Sequence, residues 1–125
     1  MDQYLIVYGS LRRGGEFHHY LSGAEFIGDD FLEGFVMLQA GDYPVIKKSE
    51  NKGDTVFVEL YRVSGCHLTK IDELEGYAGP GMNNEYDRVT AATLKGYSGF
   101  IYTAAEDFPG DNLNRIGSGD WFNKN

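Results

Sequence analysis

An apolar stretch, Tyr4-Leu5-Ile6-Val7-Tyr8, runs directly into Gly9-Ser10-Leu11-Arg12. Strand-forming residues followed by small ones describe a rigid element that delivers bare backbone N–H groups to one point. Such groups bind an anion or a developing oxyanion when no side chain blocks the approach. Glycine at position 9 is expected to keep that approach open. Taken alone, the pattern also fits an ordinary strand end. Further along, Ile71-Asp72-Glu73-Leu74-Glu75-Gly76-Tyr77 gathers three carboxylates where an apolar periodic segment stops at a glycine.

Helical geometry separates those three acids. At about 100° per residue, with Leu68 at about 0°, Ile71 falls near 300° and Leu74 near 240°. Glu75 then falls at about 340°, inside the apolar stripe, Asp72 borders it at about 40°, and Glu73 lies opposite at about 140°. A carboxylate in the middle of an apolar face at a helix C-terminus is desolvated and meets the negative end of the dipole. Both effects raise its pKa and suit it to proton transfer near neutral pH. The alternative is a frayed last turn with Glu75 in solvent. Glu73 reads as a solvated surface charge.

Other chemistry-bearing residues are less organised. Arg12-Arg13-Gly14-Gly15 is glycine-rich and basic, but it lacks the Gly-Lys-Ser/Thr of a phosphate-binding loop, so nucleotide binding is rejected. His18 and His19 are neighbours and would face different ways on a helix, and His67 has no carboxylate motif beside it, so no metal site is expected. Cys66 and His67 are adjacent, a poor arrangement for a nucleophile and its base; Cys66 is expected to pack.

The elements that must position Gly9 and Glu75 follow from periodicity and punctuation. Tyr4 to Tyr8 is a strand, Gly9 to Gly15 a loop, and Phe17 to Leu21 a short helical turn. Phe26-Ile27 and Phe31 to Leu38 read as strands bent at Gly28 and Gly34. After a turn at Gly41-Asp42-Tyr43-Pro44, the segment Pro44 to Lys48 reads as an edge strand, because proline cannot donate to a ladder. Glu50 to Asp54 is a polar turn. Thr55 to Val63, rich in β-branched and aromatic residues, is the clearest strand. Ser64 can cap the helix that Gly76 stops. Ala78 to Asn84 is a loop, Glu85 to Leu94 and Tyr97 to Ala104 form a hairpin turned at Lys95-Gly96, and the chain from Ala105 onward is irregular. Strands around one helix make an α+β fold whose sheet can close into a small barrel.

A chain of 125 residues is expected to form one domain around a single core. Nineteen acidic residues against eleven basic ones, a net charge of −8, argue against nucleic-acid or anionic-membrane partners, which need a basic face. No apolar run approaches the roughly 20 residues of a membrane span, and the N-terminus enters a strand without a signal-peptide pattern. The single cysteine excludes an internal disulfide and suits a reducing cytoplasm.

A strand ending in Tyr8-Gly9-Ser10-Leu11-Arg12, with Ile71-Asp72-x-x-Glu75-Gly76-Tyr77 further on, resembles the γ-glutamylcyclotransferase-like family, which includes γ-glutamylamine cyclotransferases and AIG2-like proteins. Tyr43-Pro44-Val45, Tyr86-x-Arg88 and the Ile116-Gly-Ser-Gly-Asp-Trp121 tail extend the resemblance over the whole chain. It implies a small mixed β-barrel with one main helix and the active pocket at one mouth. It also implies that Glu75 is the general acid/base and that Tyr8, Gly9, Ser10 and Leu11 bind a γ-glutamyl group, released as 5-oxoproline without metal or organic cofactor. Arg12 either orients a substrate carboxylate or is a solvated loop residue; Tyr43 and Tyr86 either shape the pocket or pack the strands. The expected partner is a small γ-glutamyl compound, and the protein is a monomer or homodimer. A non-catalytic binding module and a different acyl-transfer or amide-cleaving enzyme are the competing expectations.

Overall fold

In the computed structural model of the protein, which describes residues 3–105 and 113–124, the first strand, β1 (Gln3–Val7), is covered on both faces. Leu5 and Val7 enter one apolar cluster and Ile6 and Tyr8 another, the two-residue alternation of extended chain. A strand with two apolar faces belongs in the middle of a sheet. β1 accordingly pairs antiparallel with β5 (Thr55–Val63) and parallel with β7 (Ser98–Ala104). The complete sheet runs β2 (Glu25–Glu33), β5, β1, β7, β6 (Tyr86–Ala92). A second sheet has the order β4 (Tyr43–Lys48), β3 (Phe35–Ala40), β8 (Asn114–Arg115).

The two sheets are joined at Gly34, whose N–H donates to the Asp54 carbonyl at 2.7 Å and whose carbonyl accepts from Ser49 at 2.8 Å. The sequence predicts a single bent strand over Phe31–Leu38; the bend is in fact a change of sheet. β3 lies beside β5 and β4 beside β7, so the curled sheets enclose Ile6, Leu32, Met37, Ile46, Val56, Leu60 and Ile101. This is the expected α+β, barrel-like architecture with one main helix. The register of β2 against β5 shifts between Phe26 and Gly28, the expected bulge, and β4 is an edge strand as Pro44 requires. In the stretch read as irregular from Ala105 onward, residues 106–112 lie outside the described residues. The short β8 beyond them was not expected; two residues carry too little pattern to announce a strand.

The helix, α1 (Gly65–Glu75), is fixed at both ends. Ser64 caps it: the Ser64 Oγ accepts the His67 N–H at 3.4 Å, and the Ser64 N–H donates to His67 Nδ1 at 3.0 Å. Histidine here takes the place that glutamate or glutamine holds in the usual reciprocal cap. With Nδ1 accepting, the proton sits on Nε2, which reaches the Ser22 carbonyl at 2.8 Å and ties the helix start to the short 3-10 helix His18–Leu21. Leu68 and Ile71 pack onto Leu5, Val7 and Val63. At the far end Gly76 adopts a left-handed conformation (φ 70°), and the Tyr77 N–H donates back to the Asp72 carbonyl at 2.9 Å. No helix among the described residues is long and apolar enough to cross a membrane.

Candidate active site

The turn after β1 is closed by its own backbone. The Arg12 N–H donates to the Gly9 carbonyl at 2.9 Å, and the Phe17 N–H donates to the Ser10 carbonyl at 2.9 Å. The N–H groups of Gly9, Ser10 and Leu11 find no acceptor among the described residues. In front of this turn lies a cavity of about 260 Å³. Tyr8, Gly9, Ser10 and Leu11 form one wall, Tyr43 and Pro44 of β4 another, and Glu75 on the last turn of α1 a third. Tyr86 of β6 and Tyr102 of β7 complete it, with Glu85 beside them. Seven residues expected from the sequence are therefore brought together: Tyr8, Gly9, Ser10, Leu11, Tyr43, Tyr86 and Glu75.

Three tyrosine hydroxyl groups around this cavity are already engaged. The Tyr8 hydroxyl donates to the Tyr102 carbonyl at 2.6 Å, and the Tyr86 hydroxyl donates to the Pro44 carbonyl at 3.1 Å. The Tyr102 hydroxyl donates to the Asp72 carboxylate at 2.5 Å, whose other oxygen accepts from Arg88 at 2.7 Å. Burial pushes all three phenols up from their ordinary pKa, and the charge of Glu75 acts in the same direction. They stay protonated at neutral pH and serve as donors.

Glu75 is the exception. Its carboxylate accepts no hydrogen bond among the described residues. Burial first, and the negative charge of Glu85 second, push it up to about 7. The last turn does not fray, because the Gly76 cap holds it. Glu73 is exposed and outside the cavity lining, on the face that helix geometry assigns to it.

Two expectations are corrected and one gains a further cause. Arg12 is not the solvated loop residue of one expectation, being 6% exposed, and it lies outside the cavity lining. Its Nε donates to Glu59 at 3.1 Å and its Nη1 to Asp120 at 2.7 Å. Gly9 lines the cavity, and a second neighbour also excludes a side chain there, since a Cβ would sit 2.5 Å from Cγ of Pro44. Cys66, expected to pack, is exposed at the helix start and lines no part of the cavity.

The Gly9 contact makes a prediction about stability. Gly9→Val is expected to push β4 off β1 and lower folding stability by about 1–3 kcal/mol, the usual range for overpacking. Thermal unfolding measures it, and an unchanged midpoint would contradict the contact with Pro44.

Glu85 and Tyr102 were not anticipated. Glu85 follows a polar loop, and nothing local marks it as returning to the helix end, where its N–H donates to the Gly76 carbonyl at 3.0 Å. Tyr102 did carry a signal: it alternates with Phe100 on a strand, and both enter the helix-side cluster.

Comparison with known proteins places this geometry in a family context. Residues 5–123 match the family described as gamma-glutamyl cyclotransferase, AIG2-like. The chain is 31% identical over 120 residues to the gamma-glutamylcyclotransferase family protein YtfP of Escherichia coli, covering 96% of each chain. It is 38% identical over 87 residues to the gamma-L-glutamyl-butirosin B gamma-glutamyl cyclotransferase of Niallia circulans, spanning 68% of this chain and 54% of that one. The crystal structure of protein PH0828 from Pyrococcus horikoshii aligns with a TM-score of 0.74 at 29% identity, covering 95% of this chain and 89% of that chain.

Proposed function

The chain belongs to the gamma-glutamyl cyclotransferase, AIG2-like family, and from that premise we propose that it cyclises a γ-glutamyl amino acid or γ-glutamylamine to 5-oxoproline. The observation that carries this reading is the Glu75 carboxylate, desolvated and without a hydrogen-bond donor, on the wall of a cavity it shares with the Gly9–Leu11 turn. A binding module does not require a carboxylate whose pKa is raised in that position. A proton-transfer catalyst needs one whose pKa lies near the working pH.

In the proposed reaction Glu75 takes a proton from the substrate's α-ammonium group. The freed amine attacks its own γ-carbonyl carbon and closes a five-membered ring. N–H groups of Gly9, Ser10 and Leu11 hold the γ-glutamyl group and receive the negative charge that develops on the carbonyl oxygen. The bond to the leaving nitrogen then breaks as Glu75 returns the proton to it, and the second proton that the ring nitrogen must shed passes to the departing amine, so an ammonium ion and 5-oxoproline are released. Attack is intramolecular, so holding the flexible glutamyl chain in a reactive shape supplies much of the acceleration. Each step uses Glu75 and backbone donors alone. The Niallia circulans relative, named for a γ-glutamyl group on butirosin B, supports an amine as the leaving group.

Incubation with a panel of γ-glutamyl amino acids and γ-glutamylamines tests the proposal. 5-Oxoproline is expected from at least one of them. Tight binding of these compounds without any 5-oxoproline would decide for the non-catalytic module, and release of free glutamate for hydrolytic amide cleavage.

A further inference from the structure

Behind the substrate-facing turn, Arg12 joins three separate parts of the chain. Its guanidinium carbon lies 4.6 Å from the ring centres of both Phe57 on β5 and Phe122 in the C-terminal segment. Nε donates to Glu59 on β5, and Nη1 donates to Asp120, which also accepts the Phe122 N–H at 3.1 Å. Glu59 is 2% exposed and sits opposite Val7 in the β1–β5 register, immediately before the turn begins. The Glu59 carboxylate also accepts the Arg13 N–H at 2.9 Å and the Tyr61 hydroxyl at 2.8 Å. The C-terminal segment is itself anchored: the Phe57 N–H donates to the Gly119 carbonyl at 2.8 Å, and Ile116 and Trp121 enter the core.

Stability alone is a poor reason for this arrangement. Taking a guanidinium and a carboxylate out of water costs each ion its hydration, and apolar residues of similar size would serve a core as well or better. A planar fork gripped by two acids and stacked between two rings supplies orientation instead. What it orients is the residue directly following Leu11. None of Arg12, Glu59, Asp120 or Phe122 lines the cavity, so any effect on substrate must pass through the turn.

We propose that Arg12, gripped by Glu59 and Asp120, is a positioning residue through which the C-terminal segment sets the substrate-holding turn and hence substrate affinity. The effect on affinity rests on the reading that residues 9–11 hold the substrate. The strut itself does not depend on it.

Asp120→Asn and Phe122→Ala in the full chain test the strut mildly, because both residues lie towards the surface and the core is left intact. Arg12→Lys keeps the charge and loses the fork. In each variant the amides of Arg12, Arg13 and Phe17, which close the turn, are expected to exchange with solvent about 5-fold faster or more, the effect of one lost charged hydrogen bond. Amides of β5 and α1 should keep their rates. For a γ-glutamyl substrate, KM is expected to rise by a similar factor of about 5 with kcat and the midpoint of the pH profile unchanged. Unchanged exchange at the turn, or faster exchange spread evenly over the protein with an unaltered KM, would overturn the proposal. Faster exchange confined to the turn, in a protein that processes no γ-glutamyl compound, would uphold the strut and refute the proposed function.

Discussion

Glu75→Gln is expected to lower γ-glutamyl turnover by about 10²-fold or more, the usual contribution of a general acid/base, while ligand binding is largely kept. The amide preserves the shape of the cavity wall and removes the group that carries the proton. Glu73→Gln, on the opposite face of α1 and exposed, is the control and should behave like the parent. Exchanged behaviour of the two variants would refute the helical assignment. Thermal unfolding gives a second readout of the same substitution. Burial raises Glu75 to about 7, so between about pH 4.5 and 7 the folded protein holds a proton that the unfolded chain has lost. The stability this gives is fully present below that window and gone above it, where the ionised carboxylate is left desolvated. Glu75→Gln should therefore unfold like the parent near pH 4 and be more stable at pH 8, by about 1–3 kcal/mol. Activity and stability move in opposite directions at one atom pair, which a purely structural glutamate would not do.

The pH dependence of kcat/KM is expected to follow the same group. The reactive form is the ionised one, so the rate should climb about tenfold per pH unit below the midpoint and level off above it. With Glu75 raised to about 7, the bend falls close to neutrality rather than near the 4.3 or so of an exposed glutamate. Desolvation is the larger cause and the charge of Glu85 the smaller. Glu85→Gln should consequently move the bend to lower pH without abolishing it. A profile flat from pH 5 to 8 would remove Glu75 from the proton-transfer step.

The placement of Glu75 was legible because a helix converts spacing into direction. Leu68, Ile71 and Leu74 define the stripe, Glu75 falls within it, and Ser64 and Gly76 mark the ends without any knowledge of the rest of the fold. β1 and β5 were equally legible, being apolar, β-branched and sharply bounded. What escaped was whatever depends on distant partners. The fate of Arg12 is decided by Glu59 and Asp120, 47 and 108 positions away, and no local pattern distinguishes a buried, gripped arginine from a solvated one. Gly9 was read correctly as a place where a side chain is excluded, yet the excluding atom belongs to Pro44 on a strand of the other sheet. Tyr102 reaches the cavity because β7 runs parallel to β1 with Phe100 opposite Leu5, a pairing that joins the two ends of the chain.

One backbone contact bears on how this scaffold can diversify. The Glu85 N–H meets the Gly76 carbonyl at 3.0 Å, and a Cβ on Gly76 would lie 2.9 Å from that of Glu85, so the intervening residues form a bight with a sealed neck. Inside it, Asn84 accepts the Ala78 N–H at 2.7 Å and donates to the Gly79 carbonyl at 2.9 Å, making the bight self-supporting. Lengthening such a closed excursion is entropically cheap, about 0.6 kcal/mol for each doubling. The helix end that carries Glu75 is secured at the neck and does not feel what is inserted beyond it. Residues 78–84 can thus vary in length and sequence while the end of α1 that carries Glu75 keeps its place.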